Sequence, residues 1–126
     1  MATIELTKEN LITTINDNDT VLVDFCAPWC GPCRQFAPVF ESMSESHPDI
    51  VFGKVNTEEQ QELAASFQVR SIPTLTIFRQ QIIVFSQPGA LPQAGLESVI
   101  EKVAALDMDE VRRQVAEHAQ EQGGSA

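Results

Sequence analysis

The chain alternates between apolar runs of strand length and segments whose apolar residues recur at helical spacing. Alternation of polar and apolar residues predicts a short edge strand at residues 3–6, and mainly apolar runs predict strands at residues 21–26, 50–55, 75–78 and 82–85. Helical spacing, supported by capping residues, predicts helices at residues 7–15, 32–46, 57–67, 92–106 and 107–120. Because strands and helices alternate in this order, the sequence predicts an α/β fold with a central mixed sheet of about five strands and helices on both faces.

The apolar runs also indicate how the strands pair. Residues 21–26 are mostly β-branched or apolar, which is typical of a strand buried on both faces in the middle of a sheet. Only residues 79–81 separate the last two runs, so those strands are expected to form an antiparallel hairpin. Asp24 interrupts the central run, and a buried carboxylate there must either hold its proton more tightly or find a partner.

Local patterns add detail to two helices and one turn. The first helix carries Leu11, Ile12 and Ile15 at helical spacing, which predicts that they share an inward face. Thr57 is expected to open a capping box for the helix at residues 57–67. The hairpin turn lacks a glycine, so the sequence leaves its type open.

Length and charge narrow the classes of function. At 126 residues, one domain with one core is expected. The 18 acidic residues outnumber the 8 basic ones and give a net charge of −10, which disfavours binding to nucleic acid or to anionic membranes. No apolar run approaches the roughly 20 residues that span a bilayer, and residues 1–10 lack an apolar signal segment. These features predict a cytoplasmic protein that binds neither nucleic acid nor membrane.

The cysteines are the first indication of chemistry. An odd number, three, argues against a structural disulfide framework and favours a reactive thiol site. Cys30 and Cys33 lie three residues apart where the central strand ends and the next helix begins. Free N–H groups and the helix dipole there stabilise a thiolate on Cys30, while Cys33 lies one turn inside the helix. A thiolate that attacks and a nearby thiol that resolves the mixed disulfide are what thiol–disulfide exchange requires.

These residues match a known pattern. The segment Val23-Asp24-Phe25, followed by Ala-Pro-Trp-Cys-Gly-Pro-Cys at residues 27–33, resembles the active-site segment of the thioredoxin family. Residues 71–74, Ser-Ile-Pro-Thr, resemble the proline loop of that family, and residues 88–90 resemble the loop that lines its substrate groove. The resemblance runs from residue 2 to about residue 105 and implies a thioredoxin fold.

The resemblance implies a role for each matching residue. Cys30 would be the attacking nucleophile and Cys33 the resolving thiol. Asp24 would relay the proton of Cys33, with Lys54 as its basic partner; the alternative is that the two residues form a structural ion pair. Pro73 would be a cis-proline that faces the disulfide. The apolar patch that a substrate covers would comprise Trp29, Gly31, Pro32, Ile72, Pro73, Pro88, Gly89 and Ala90.

The same resemblance implies the reaction and the partners. The protein would reduce disulfides in other proteins, and an NADPH-dependent thioredoxin reductase would return it to the dithiol form. It would need no cofactor beyond the Cys30–Cys33 pair and would act as a monomer. The alternative is a thioredoxin-fold binding or chaperone-like module, in which the acidic surface and the last helix dock a partner and redox activity is secondary.

Two features depart from the family pattern. Cys26 stands where most thioredoxins carry an aromatic residue. Three interpretations are open: a small buried apolar residue, a regulatory redox-sensing thiol, or part of a metal site with the other two cysteines. The last helix is an addition, so the sequence predicts a thioredoxin domain at residues 1–106 and a helical extension with a frayed tail at residues 107–126. That helix either packs on its own domain or docks a partner.

Overall fold

One sheet and its flanking helices account for the part of the chain that the computed structural model describes, which is the backbone of residues 2–124 and the side chains of residues 2–118. The strands are β1 (Thr3–Glu5), β2 (Thr20–Cys26), β3 (Val51–Asn56), β4 (Thr74–Arg79) and β5 (Ile82–Pro88). The helices are α1 (Leu11–Asp17), α2 (Gly31–Ser46), α3 (Gln61–Ser66), α4 (Gln93–Ala104) and α5 (Met108–Gly124). Apart from shifts at their ends, these are the elements that the hydrophobic pattern predicts.

The strands form a five-stranded mixed sheet in the order β1-β3-β2-β4-β5. β2 pairs in parallel with β3 and antiparallel with β4, and β4 and β5 form the expected antiparallel hairpin. Residues 21–25 are all buried, as expected for a central strand that is covered on both faces. The predicted α/β fold with a central mixed sheet is therefore confirmed.

Helices cover both faces of the sheet, and each face has its own apolar cluster. The cluster under α2 and α4 includes Leu22, Phe36, Phe40, Leu96 and Ile100. The cluster under α1 and α3 includes Leu11, Ile15, Val23 and Phe25, with Leu63 and Phe67 at its edge. Because alternate residues of β2 enter opposite clusters, the end of this strand is held firmly where α2 begins.

Two short segments differ from expectation. Ile12 is 61% exposed, so its predicted place on the inward face with Leu11 is wrong. Gln80 and Gln81 form the hairpin turn with φ of 51° and 71°, the left-handed backbone that a two-residue hairpin turn of the primed type requires. The carbonyl of Asp19 accepts the Gln80 N–H at 2.7 Å and helps to hold this unfavourable backbone.

The start of α3 also differs. The expected capping box at Thr57 does not form, because the helix begins four residues later with Gln60 as its first flanking residue. In the preceding turn, the side chain of Asn56 accepts the N–H of Glu58 at 3.0 Å. Asn56 therefore supplies locally the hydrogen bond that the sequence pattern assigned to Thr57.

The first turn of α5 packs on the rest of the protein. Met108 is buried, with 5% of its surface exposed. Arg79, at the end of β4, donates through Nη1 to the carbonyl oxygens of Val103 and Leu106 at 2.7 and 3.0 Å. These bonds fix the link between α4 and α5, so the start of the added helix rests on its own domain.

The remainder of α5 continues beyond its expected end near residue 120 as far as Gly124. Residues 125–126 of the predicted tail lie outside the described residues. Among the helices described, none is long and apolar enough to cross a membrane.

Candidate active site

The two cysteines that lie three residues apart occupy the junction between β2 and α2. Cys30 is the N-cap residue of α2, and Cys33 lies in its first turn. Their side chains are 6% and 5% exposed, and both are free thiols. Burial raises the pKa of the Cys33 thiol, so this residue holds its proton until a base removes it.

The loop before β4 lies against Cys30. The Ile72–Pro73 peptide bond is cis, as the resemblance implies. The Cys30 thiol donates to the carbonyl oxygen of Ile72, with Sγ 3.8 Å from that oxygen. The carbonyl of Pro73 accepts the N–H of Gly89 at 2.8 Å, and Gly89 has the left-handed φ of 107° that favours glycine. The three segments that carry the resemblance therefore meet at one edge of the sheet.

An exposed, mostly apolar surface surrounds Cys30. Trp29 is 63% exposed, although a tryptophan side chain is normally largely buried. The other exposed residues of the predicted patch are Gly31, Pro32, Pro88, Gly89 and Ala90. Ile72 is half-buried, and Pro73 is buried beneath the loop. An exposed indole beside a thiol is suited to contact a partner, because the indole offers a large apolar face and one hydrogen-bond donor.

A buried acid lies behind the cysteines. Asp24 in β2 is 1% exposed, and burial raises its pKa from 3.8 to about 6. Its Oδ1 accepts a hydrogen bond from Cys26 Sγ at 3.0 Å, which works against that rise. A carboxyl whose pKa lies near 6 can accept a proton from a thiol at neutral pH and release it again.

Lys54 has a different contact from the one expected. It lies opposite Asp24 in the pairing of β2 and β3, but its Nζ is 3.1 Å from Oε1 of Glu41 on α2. The charge of Lys54 lowers the pKa of Asp24, although burial outweighs this effect. The ion pair that Lys54 makes in the described structure is with Glu41, and its effect on Asp24 acts through its charge.

Glu41 is a member of the site that the sequence interpretation missed. It binds Lys54, and Thr3 Oγ1 also donates to its Oε1 at 3.0 Å. These hydrogen bonds, that of Lys54 first, lower the pKa of Glu41. The available signal was the spacing of Cys33, Ala37 and Glu41, since every fourth residue of a helix falls on one face.

A cleft of about 560 Å³ opens behind the cysteine pair. Its walls include Asp24, Cys26, Cys33, Arg34, Glu41 and Lys54, but not Cys30. The buried acid and the inner thiol therefore share an opening that is separate from the surface around Cys30.

Cys26 lies in this cleft, where its surroundings bear on two of its three interpretations. It is half-buried, and burial together with the charge of Asp24 raises its pKa well above the usual range of a thiol. A thiol that holds its proton is a poor nucleophile, which disfavours a redox sensor. Within residues 2–118, no three His, Cys, Asp or Glu side chains are placed to hold a metal ion. Cys26 is a polar group that donates to Asp24 and lies on the same cleft as Cys33.

Comparisons with known proteins indicate a single family. The model of the family described as thioredoxin matches residues 2–102. A Streptomyces coelicolor protein named as a thioredoxin 2 is 58% identical over 122 residues, which are 97% of this chain and 91% of that protein. A thioredoxin of the red alga Porphyra purpurea is 45% identical over 89 residues, 70% of this chain and 83% of the relative.

Solved structures show the same likeness. A mutant thioredoxin from Halobacterium salinarum NRC-1 superposes with a TM-score of 0.76 at 33% identity, covering 82% of this chain and 92% of that one. A thioredoxin of Plasmodium falciparum gives a TM-score of 0.73 at 33% identity, covering 79% of this chain and 97% of the other. The family match ends near the end of α4, whereas the Streptomyces match extends over nearly all of α5 as well.

Proposed function

The chain belongs to the thioredoxin family and is a thiol–disulfide oxidoreductase, and from this premise we propose that Cys30 and Cys33 carry its reaction. The position of Cys30 supports the proposal most directly. Its thiol lies at the N-terminus of a long helix, beside the Ile72 carbonyl and within an exposed apolar patch. Cys26 and Cys33 lie on the cleft behind that patch, so Cys30 is the thiol that a protein substrate can approach.

In the first step, the Cys30 thiolate attacks one sulfur of a substrate disulfide. The S–S bond of the substrate breaks, its other sulfur leaves as a thiolate, and a mixed disulfide forms between Cys30 and the substrate. The Cys30 thiol leaves the Ile72 carbonyl when it reacts, and the backbone of Ile72 can then bind an extended substrate segment. Covering the exposed patch around Trp29 excludes water from the reacting sulfurs.

In the second step, Cys33 resolves the mixed disulfide. Cys33 gives its proton towards Asp24 and attacks the sulfur of Cys30, so the substrate leaves as a dithiol and the Cys30–Cys33 disulfide forms. Two electrons pass from the protein to the substrate. Lys54 adjusts the acidity of Asp24 through its charge, while Glu41 holds the Lys54 ammonium in place.

The partners follow from the same chemistry. Members of this family act on disulfide substrates and are returned to the dithiol form by thioredoxin reductase. We propose that an NADPH-dependent reductase serves this chain, that the chain acts as a monomer in the reducing cytoplasm, and that it works without a cofactor. The net charge of −10 supports partners other than nucleic acid and membrane surfaces, and it favours proteins with neutral or basic faces around their disulfides.

Reduction of insulin tests the proposal. With dithiothreitol as the electron source, the protein is expected to accelerate the turbidity that appears as the separated insulin chains precipitate. The physical reason is that Cys30 offers a positioned thiolate, which dithiothreitol in solution lacks. A rate equal to that of dithiothreitol alone would contradict the proposal.

We also propose that residues 1–106 form the redox domain and that residues 107–126 are an extension outside the chemistry. Truncation after Leu106 is expected to leave insulin reduction within about twofold, because none of the described side chains of α5 lines the cleft. It should lower the free energy of unfolding by about 2 kcal/mol, since the buried side chain of Met108 is lost. Met108→Ala in the full chain is the matched control and should lower the unfolding free energy in urea similarly. Loss of reduction in a folded truncated protein would place α5 within the enzyme.

A further inference from the structure

We propose that Cys26 is a proton-relay residue, whose thiol passes the proton of Cys33 to the carboxylate of Asp24 when the mixed disulfide is resolved. The inference rests on the proposed roles of Cys30 and Cys33 and adds a third thiol to the second step. Cys26 would act as a hydrogen-bonding bridge and never as a nucleophile.

The positions of Asp24 and Cys26 on β2 bring their side chains together. Asp24 and Cys26 are two residues apart on one strand, so their side chains leave the same face of the sheet. Cys26 Sγ donates to Asp24 Oδ1 at 3.0 Å, and Cys26 and Cys33 are near enough for each thiol to shift the pKa of the other. The three side chains line one cleft, from which Cys30 is absent. Cys26 thus lies between the base and the thiol that must lose its proton.

The hydrogen bond of Asp24 indicates the route of the proton. The side-chain hydrogen bond of Asp24 goes to Cys26, not to Cys33. A thiol is suited to this place, since its sulfur can accept one proton while its S–H donates another. After the transfer, the S–H of Cys26 can turn to the Cys33 sulfur, and a hydrogen bond from Cys26 lowers the pKa of Cys33 against the larger rise that burial causes, so the bridge stabilises the thiolate that forms.

The proton transfer balances without a further reactant. The Cys33 proton moves to the sulfur of Cys26 while the Cys26 proton moves to Asp24, so Cys26 is a thiol before and after the step. The Cys33 thiolate then attacks the sulfur of Cys30, and the bond between Cys30 and the substrate breaks. The substrate sulfur leaves with the bonding electron pair as a thiolate, and the proton held by Asp24 leaves through the cleft to water.

Other charged groups face this relay from each neighbouring element. The charge of Lys54 on β3 lowers the pKa of Asp24, and Glu41 on α2 forms an ion pair with Lys54. Arg34 on α2, Glu5 on β1 and Glu59 after β3 also line the cleft. None of them is hydrogen-bonded to Asp24, so a change of resolution rate with pH near 6 reports chiefly on Asp24 and its bridge.

A matched pair of variants tests the relay. Cys26→Val and Cys26→Thr have nearly the same shape, but only threonine carries a hydroxyl that can accept and donate a proton. The probe is 5,5′-dithiobis(2-nitrobenzoate), which releases one coloured thiolate when Cys30 attacks and a second when Cys33 resolves. In a stopped-flow experiment, the rate of the first phase increases with the reagent concentration. The second phase is intramolecular, so its rate does not depend on that concentration.

We expect Cys26→Val to slow the second phase by about tenfold or more, as loss of a positioned proton acceptor does, and to leave the first phase unchanged. Cys26→Thr should stay within about threefold of the parent protein. The second-phase rate of the parent and of Cys26→Thr should rise between pH 5 and 7 as Asp24, whose pKa burial raises to about 6, loses its proton. That rise should be missing in Cys26→Val.

The outcomes separate the two proposals. Equal second phases in both variants, whether fast or slow, would overturn the relay and leave Cys26 a packing residue. If the parent protein itself shows no first phase, the proposed function of Cys30 fails instead. Thermal unfolding verifies that both variants are folded; if Cys26→Val is not, Cys26→Ala against Cys26→Ser is compared in the same way.

Discussion

Replacement of Cys30 with serine is expected to abolish insulin reduction above the dithiothreitol background, a loss on the order of a thousandfold or more, because no intermediate can form without the nucleophile. A serine hydroxyl at the N-terminus of α2 can still cap the helix, so the fold should be unaffected. Replacement of Cys33 with serine should have a different consequence. Cys30 would still attack, but the mixed disulfide would persist, because the Cys33 thiol that resolves it is absent.

Two measurements distinguish these roles. Turbidity of insulin gives the rate, and mass spectrometry without reductant detects a covalent adduct between the protein and one insulin chain. The adduct should accumulate with Cys33→Ser and be absent with Cys30→Ser. Ile12→Ser, on the exposed face of α1, is the control and should reduce insulin at the parent rate. An adduct on Cys30→Ser but not on Cys33→Ser would reverse the assignment of the two thiols.

The site could be predicted from the sequence wherever its chemistry depends on neighbours along the chain. Asp24 stands out because a carboxylate in an apolar strand has few explanations other than burial. The dithiol is likewise local, since the end of a strand, a pair of cysteines and a helix start follow one another directly. The fold was predictable for the same reason, because most strands contain a short run of mainly apolar residues and the helices repeat apolar residues at helical spacing.

The contacts that could not be predicted depend on how neighbouring elements pack against each other. Lys54 meets Glu41 only because α2 lies across β3, and no local pattern reports that crossing. Cys26 and Cys33 line the same cleft because the first turn of α2 begins beside the end of β2. In both cases the sequence identified a reactive or charged residue but not its partner, which depends on packing.

The substitution Asp24→Asn is expected to have the second largest effect. It should lower the rate at which Cys33 resolves the mixed disulfide and raise the free energy of unfolding. The asparagine amide cannot take up a proton, so resolution by Cys33 should slow by about 10- to 100-fold at pH 7. The free energy of unfolding should rise by about 3 kcal/mol at pH 8, because a rise in pKa from 3.8 to about 6 measures the cost of ionising Asp24 in the folded state.

The sign of the pH dependence makes this prediction specific. Burial raises the pKa of Asp24 in the folded protein above its unfolded value, so the folded state binds more protons between about pH 4 and 6. The parent protein therefore loses stability as the pH rises through that interval, whereas Asp24→Asn does not. Urea unfolding of the reduced proteins should show equal stabilities at about pH 3.5 and a growing advantage for the variant up to about pH 7. A difference in unfolding free energy that is constant at all pH values would mean that Asp24→Asn is stabilised by packing of the amide. The pKa of Asp24 would then not be raised by burial, and the carboxylate would lack the property that suits it to accept the proton of Cys33.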